Sequence, residues 1–262
     1  MTEILKTEGL SRYFGAVTAA ENINVTITEG EIVGVIGANG AGKTTFINMV
    51  TGYLPPSEGT ISFNGRPIKG LGPRKLMREG LARSFQIPQL FLELSVLDNL
   101  AMALAAAENQ HLQMLRPVRT PERMAAGSEI LEQMGISRYR NEMVTAMPQG
   151  ARKLLDIAIA MLGNPRMLLL DEPTSGVSLE EKYGLMDIVM EAVTKRGLTV
   201  LFVEHDMDIV ERYVTRVLAF ASGVVIADGP VDHVLDDPKV QELVTGKRLH
   251  KHTAEGGARH ES

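Results

Sequence analysis

The chain has 262 residues, of which 44% are hydrophobic and 23% charged, enough to bury a full core as one large domain or two joined lobes. A net charge of −5 argues against a general nucleic-acid binder, which needs a basic surface, and the lack of cysteine excludes disulfides and thiolate metal sites, as suits a reducing cytosol. No apolar run approaches the roughly 18 to 20 residues that span a bilayer, and Glu3, Lys6 and Glu8 break the stretch where a signal peptide would be apolar, so membrane work is expected to run through a partner.

Ile4-Leu5 leads into an early strand, and Ile23, Val25 and Ile27 alternate with polar residues as in a half-buried strand. Ile32 to Ile36 is a short, nearly all-apolar run, as expected of a strand covered on both faces. Ile61-Ser62-Phe63 runs into the tight-turn pair Asn64-Gly65. From about Pro73 to Gly150 the pattern turns helical and rich in Ala, Leu and Met. Val96 to Ala107 reads as a helix capped by Ser95, and Arg116 to Pro121 as an irregular joint. Pro121 to Met134 reads as a second helix, with Thr120 as its cap and Pro121 at its first position. The α/β pattern resumes at Leu168-Leu169-Leu170, continues at Thr199 to Val203 and ends near Val217 to Phe220. The expected architecture is a helical subdomain inserted in a mostly parallel α/β core. Gly246 to Ser262 is polar and without periodicity, as in a disordered tail.

Between a predicted strand and a predicted helix lies Gly37-Ala38-Asn39-Gly40-Ala41-Gly42-Lys43-Thr44, which matches the phosphate-loop pattern in its required context. Its glycines let successive N–H groups converge on phosphate oxygens, and the helix that follows turns its positive end to the same anion. Lys43 is expected to reach the β- and γ-phosphates, and the Thr44 hydroxyl to ligate Mg²⁺. A second apolar strand, Met167 to Leu170, ends in Asp171-Glu172. A carboxylate at the C-terminal edge of such a strand is how phosphate-loop proteins place the Mg²⁺-supporting Asp, here Asp171. Glu172 is then placed to polarise the attacking water. Thr199 to Val203 delivers Glu204-His205-Asp206 to a similar edge. A strand-end histidine is by itself most simply a solvated one, but His205 there can donate to a γ-phosphate. His111, His233, His250, His252 and His260 have no such context.

These motifs, in this order, resemble those of the ABC ATPase family over about Leu5 to Gly246. The resemblance implies an α/β phosphate-loop (RecA-like), mostly parallel core with an N-terminal antiparallel β subdomain and an inserted α-helical subdomain. Residues 1–85 and 151–246 would form the core lobe, 86–150 the helical subdomain and 247–262 the tail. ATP and Mg²⁺ are the implied cofactors. Nucleotide binding would fall to Phe14 (Tyr13 being the alternative adenine platform), Gly37, Asn39, Gly40, Ala41, Gly42, Lys43, Thr44, Thr45, Gln86, Gln149 and Gly150. Thr44, Gln86 and Asp171 would serve the metal, Glu172 and His205 catalysis, and Ser175 to Ser178 the dimer contact.

Two positions depart from the family pattern. Where the family's signature begins Leu-Ser-Gly-Gly-Gln, this chain has Met147-Pro148-Gln149-Gly150-Ala151. Pro148 offers neither the hydroxyl nor an N–H to the opposite subunit's γ-phosphate, a loss of roughly 1.5 to 3 kcal/mol if nothing replaces it. The N–H groups of Gln149, Gly150 and Ala151 and the helix dipole remain. Ser178 stands where the family usually has Asp.

Asn39 to Phe46, Thr51-Gly52-Tyr53, Leu90-Phe91, Leu94 to Leu100, Val203 to Met207 and Val224 to Val244 resemble the ATPases of branched-chain amino-acid importers. Urea and amide importers use near-identical subunits, and lipopolysaccharide exporters use similar ones. A non-transport ABC ATPase is a further alternative, although the tandem domains or coiled-coil insertions usual there are absent from this sequence. The resemblance implies integral-membrane permease subunits, a second ABC ATPase subunit in a homo- or heterodimer, an indirect solute-binding protein, no nucleic acid, and a cytoplasmic position on the inner face of the membrane. Ile87 to Leu94 would receive a helix of the permease, with Leu90, Phe91 and Leu92 as anchors. Met102, Met114, Met124 and Met134 serve either as core filler or as an adaptable surface.

Overall fold

The computed structural model describes residues 2–108 and 117–245. The expected tail after Gly246, His111, His250, His252, His260, Met114 and the start of the Arg116 joint lie outside the described residues.

Two long strands open the chain, β1 (Glu3–Phe14) and β2 (Val17–Thr28), paired antiparallel. After β3 (Ile32–Gly37) and helix α1 (Lys43–Val50), β4 (Glu58–Phe63) pairs antiparallel with β1, and the two-residue β5 (Arg66–Pro67) closes this four-stranded sheet. Asn64 and Gly65 join β4 to β5 with φ of 51° and 71°, the left-handed pair that an Asn-Gly hairpin turn requires.

Helix α2 (Pro73–Arg78) is followed by a strand, β6 (Leu81–Ser84), inside the stretch read from sequence as helical. Gly80, at φ 97°, ends the helical path between them. Four residues, one of them an Arg, are too few to display a strand period. They nonetheless form the edge of the parallel sheet beside β7 (Met167–Asp171).

The helices α3 (Val96–Ala107) and α4 (Pro121–Gln133) begin at the expected caps: Ser95 Oγ accepts from Asp98 N at 3.1 Å and Thr120 Oγ1 from Arg123 N at 3.3 Å. Then come α5 (Gln149–Met161), β7, α6 (Leu179–Arg196), β8 (Thr199–Val203), α7 (Met207–Tyr213) and β9 (Arg216–Ala221). The sheet does not stop at Phe220, as the sequence suggested. A hairpin with Ser222 and Gly223 at positive φ returns β10 (Val224–Pro230) antiparallel to β9, ahead of the short α8 (Val231–Leu235) and α9 (Pro238–Val240). The half-exposed β10 lacks the apolar run of the central strands, which hid it from the pattern.

The six-stranded sheet has the order β10-β9-β3-β8-β7-β6, parallel from β9 to β6. Each central strand feeds two cores by alternation. Leu168, Leu170, Val200, Phe202, Val217 and Ala219 join the side that includes α3, α4, α5 and α6. Met167, Leu169, Leu201, Val203, Leu218 and Phe220 join the side formed with α1 and the antiparallel sheet. The central strands are thus fully buried, and their C-terminal ends meet along one edge, where an open parallel sheet places its ligand.

Candidate active site

The phosphate loop leaves β3 at that edge. An added Cβ at Gly37 would stand 2.5 Å from Phe220 O, and one at Gly42, whose φ is 103°, would stand 2.7 Å from Ala19 O, so both positions require glycine. Gly42 is also the N-cap of α1, with no side chain capping the helix, which leaves its positive end available to an anion. Lys43 is buried, and its Nζ donates to Gly37 O at 2.5 Å and to Ala38 O at 3.1 Å. Burial pushes its pKa below the ordinary lysine value, while the nearby Glu172 and Asp171 carboxylates oppose the shift.

Asn39 to Thr45 line one cleft, of about 330 Å³, together with Val17, Thr18, Ala19, Glu172, Val203 and His205. Glu172 follows β7 at φ 47°, an uncommon conformation for a residue of its type, held by its N–H donating to Val203 O at 2.9 Å. His205 Nε2 meets Glu172 Oε1 at 2.9 Å, and Gln86 Nε2 donates to Glu172 Oε2 at 2.5 Å. The unforeseen strand β6 explains the second contact, because it brings Gln86 out beside β7. Glu172 and His205, 33 residues apart, and Gln86, 86 residues from Glu172, therefore share one carboxylate.

Three buried charged residues behind this group were not foreseen. Lys153 of α5, 2% exposed, donates to Gln86 O and, at 3.2 Å, to Glu172 O. Asp156, one turn on, accepts from Phe85 N at 2.9 Å and Gln89 N at 3.4 Å; burial pushes its pKa up and these two N–H bonds pull it back. Glu204 accepts from Thr174 N and Oγ1 with one oxygen and from His205 N with the other. The only sequence signal for them is a charge among the apolar positions of an amphipathic helix or a buried strand.

Asp171 meets a partly buried arginine. Arg83 Nη2 donates to Asp171 Oδ2 at 2.5 Å, and its Nη1 to Asn48 Oδ1 at 2.7 Å.

The remaining expected residues lie around the cleft. Phe14, 47% exposed, caps the β1–β2 hairpin opposite Val17, with the Arg12 guanidinium 4.6 Å from its ring centroid; Tyr13 N donates to Ser57 Oγ. Val17 also lines the cleft and is 64% exposed. Pro148 is the N-cap of α5, one residue ahead of its first turn. The side chain of Gln149 rests against Gly176 in the Ser175–Ser178 loop, and Ser178 occupies the N-cap position of α6, its hydroxyl donating to the Glu181 carboxylate instead of capping the backbone. Gly150 follows in the first turn of α5. Of the segment from Ile87 to Leu94, Leu90 packs on the core whereas Phe91 and Leu92 are exposed, and Asn99 of α3 fixes the segment by bonding Phe91 N and O. Met134 is fully buried and Met124 packs partly buried against the core, whereas Met102 is half-buried outside it.

Among the described residues no cluster of three or more His, Asp, Glu or Cys could cage a metal. Of the three expected metal-serving oxygen donors, Thr44 lines the cleft, while Asp171 and Gln86 lie outside its lining, Asp171 next to Glu172 in sequence and Gln86 bonded to it. That set fits Mg²⁺, which keeps its waters and is held by one or two protein oxygens plus phosphates. The glycine-lined cradle and buried Lys43 fit a nucleotide's phosphates. None of the described helices is long and apolar enough to cross a membrane.

A sequence family described as ABC transporter matches residues 20–175, more than half the chain. A probable branched-chain amino acid transport ATP-binding protein of Methanocaldococcus jannaschii is 33% identical over 253 residues, 94% of this chain and 98% of that protein. A high-affinity branched-chain amino acid transport ATP-binding protein of Pseudomonas aeruginosa is 32% identical, covering 93% and 98%. Among solved structures, an ATP-binding cassette of an ABC transporter in its ADP conformation superposes with a TM-score of 0.84 at 32% identity, covering 94% of this chain and all of that one. A nucleotide-free cassette gives 0.81 at 31% identity, covering 92% and 98%.

Proposed function

The chain belongs to the ABC transporter family, and on that premise we propose that it is the ATP-hydrolysing subunit of an importer of branched-chain amino acids. The observation that carries the ATPase reading is the cleft in which the phosphate loop, Glu172 and His205 converge at the ends of β3, β7 and β8. The cargo rests on relatives that share nearly the full length of this chain.

In this reading adenine stacks near Phe14 and Val17. The loop N–H groups, with Lys43, hold the phosphates. Thr44, Asp171 and Gln86 would hold Mg²⁺, which neutralises charge developing on the β- and γ-oxygens. Glu172, gripped by His205, polarises a water and takes its proton as the water oxygen bonds to the γ-phosphorus and the bond to the β–γ bridging oxygen breaks, leaving ADP and phosphate. Gln86 meets Glu172 through its Nε2, so its side-chain oxygen would be the atom to serve the metal. A second ABC ATPase subunit offers the N-terminus of its signature helix to the same γ-phosphate, so binding joins two subunits and hydrolysis releases them. That cycle drives permease subunits docked at Ile87 to Leu94, with the chain peripheral on the cytoplasmic face. The Pro148 departure favours a pair of unlike sites.

Purification of the tagged full chain from its native membranes tests this reading. Recovery with a multi-span membrane protein that, in vesicles, takes up labelled leucine, isoleucine or valine on ATP addition is expected. Recovery with ribosomes or DNA, or outward lipid movement, would overturn it.

A further inference from the structure

The side chain of Arg83, on the edge strand β6, is only 9% exposed, and it touches both elements that would hold the metal. One arm of its guanidinium takes Asp171 Oδ2 at 2.5 Å, and Asp171 Oδ1 has no partner among the described residues. The other arm takes Asn48 Oδ1 at 2.7 Å and approaches Thr51 Oγ1 at 3.4 Å. Asn48 lies four residues after Thr44 on α1, so it shares that residue's helix face. The guanidinium itself is shelved on aromatic rings, 5.1 Å from the Phe85 centroid and 5.6 Å from that of Tyr53, and these two rings pack edge to face at 5.8 Å.

We propose that Arg83 is a positioning residue that sets the separation and orientation of Asp171 relative to the helix carrying Thr44. A planar fork suits this task, because it fixes two acceptors at once and a point charge does not. Gripping one carboxylate oxygen fixes the plane of the Asp171 carboxylate, as outer partners of metal-binding carboxylates do, and leaves Oδ1 as the oxygen that would serve the ion. This proposal rests on the reading of Asp171 as the Mg²⁺-supporting carboxylate.

The test measures equilibrium affinity of the purified full chain for AMP-PNP with saturating Mg²⁺ and with excess EDTA; the ratio is the gain due to the ion. Arg83→Gln should cut that gain by about tenfold or more, on the scale of an outer-shell loss, with the EDTA affinity unchanged. Arg83→Lys should recover only part of it. A wild-type gain in Arg83→Gln, equal losses with and without Mg²⁺, or full recovery by Lys would overturn the proposal. Should Arg83→Gln fail to fold, Asn48→Ala decides: a reduced gain supports the brace and an unchanged one overturns it. Asp171→Asn separates the two readings. If that variant keeps the wild-type gain, the assignment of Asp171 fails; if it alone loses the gain, only the role of Arg83 fails.

Discussion

The Glu172 carboxylate and the His205 imidazole meet at 2.9 Å across the ends of two neighbouring parallel strands. The two side chains share this one contact, so each restricts the orientation of the other. With Gln86 on the second oxygen, the side chain of Glu172 is held from two sides.

Glu172→Gln keeps this shape and removes the base. The variant should bind ATP and hydrolyse it about 10²- to 10⁴-fold more slowly, the usual span for a positioned general base. Single-turnover hydrolysis, with size-exclusion chromatography in ATP, should then show an accumulating closed dimer. Normal turnover would remove Glu172 from the catalytic role.

Asp156 supplies a pH signature. Its pKa is raised above the ordinary 3.8, chiefly by burial. The folded chain therefore holds this proton to higher pH than the unfolded chain does. The stability it contributes is fully present below 3.8 and is lost as pH rises through the raised value. Urea unfolding from pH 4 to 7 should show wild type losing stability relative to Asp156→Asn as pH increases. A flat or rising difference would contradict this.

Gly42→Ala forces an L-residue to φ 103° and a methyl group to 2.7 Å from Ala19 O. We expect a loss of about 1 to 3 kcal/mol in folding stability from the backbone alone. ATP affinity should fall as well, because relieving the clash moves the loop that carries Lys43. Thermal denaturation and nucleotide titration on one preparation check both effects.

Pro148→Ser asks whether the altered signature is a defect. Restoring one charge-assisted hydrogen bond, worth roughly 1.5 to 3 kcal/mol, would raise the ATPase rate of the assembled transporter by about tenfold or more if the site were merely weakened. With two unlike sites, the rate should stay level or drop. The rate in reconstituted transporter decides between them.

Much of this site is written locally. The phosphate loop is eight consecutive residues, and Asp171, Glu172 and His205 each follow an apolar strand, so strand periodicity alone carries them to a common edge. The Ser95 and Thr120 caps were legible for the same reason, since a cap acts within three residues of itself. The strands β6 and β10 were not, being an edge strand of four residues and a half-exposed return strand.

Local sequence was thus enough to propose the chemistry: a phosphate cradle, an acidic pair and a histidine, arranged in the order of the ABC ATPases. How that chemistry is braced follows from contacts between residues far apart in the chain. Arg83 and Asp171 are 88 residues apart, Lys153 and the Gln86 carbonyl 67, and Glu204 and Thr174 30. Backbone carbonyls and N–H groups accept or donate whatever their side chain, so no residue type announces such a partner. A buried charge must find its counterpart wherever the folded sheet brings one, and that place exists only once strands distant in sequence lie side by side.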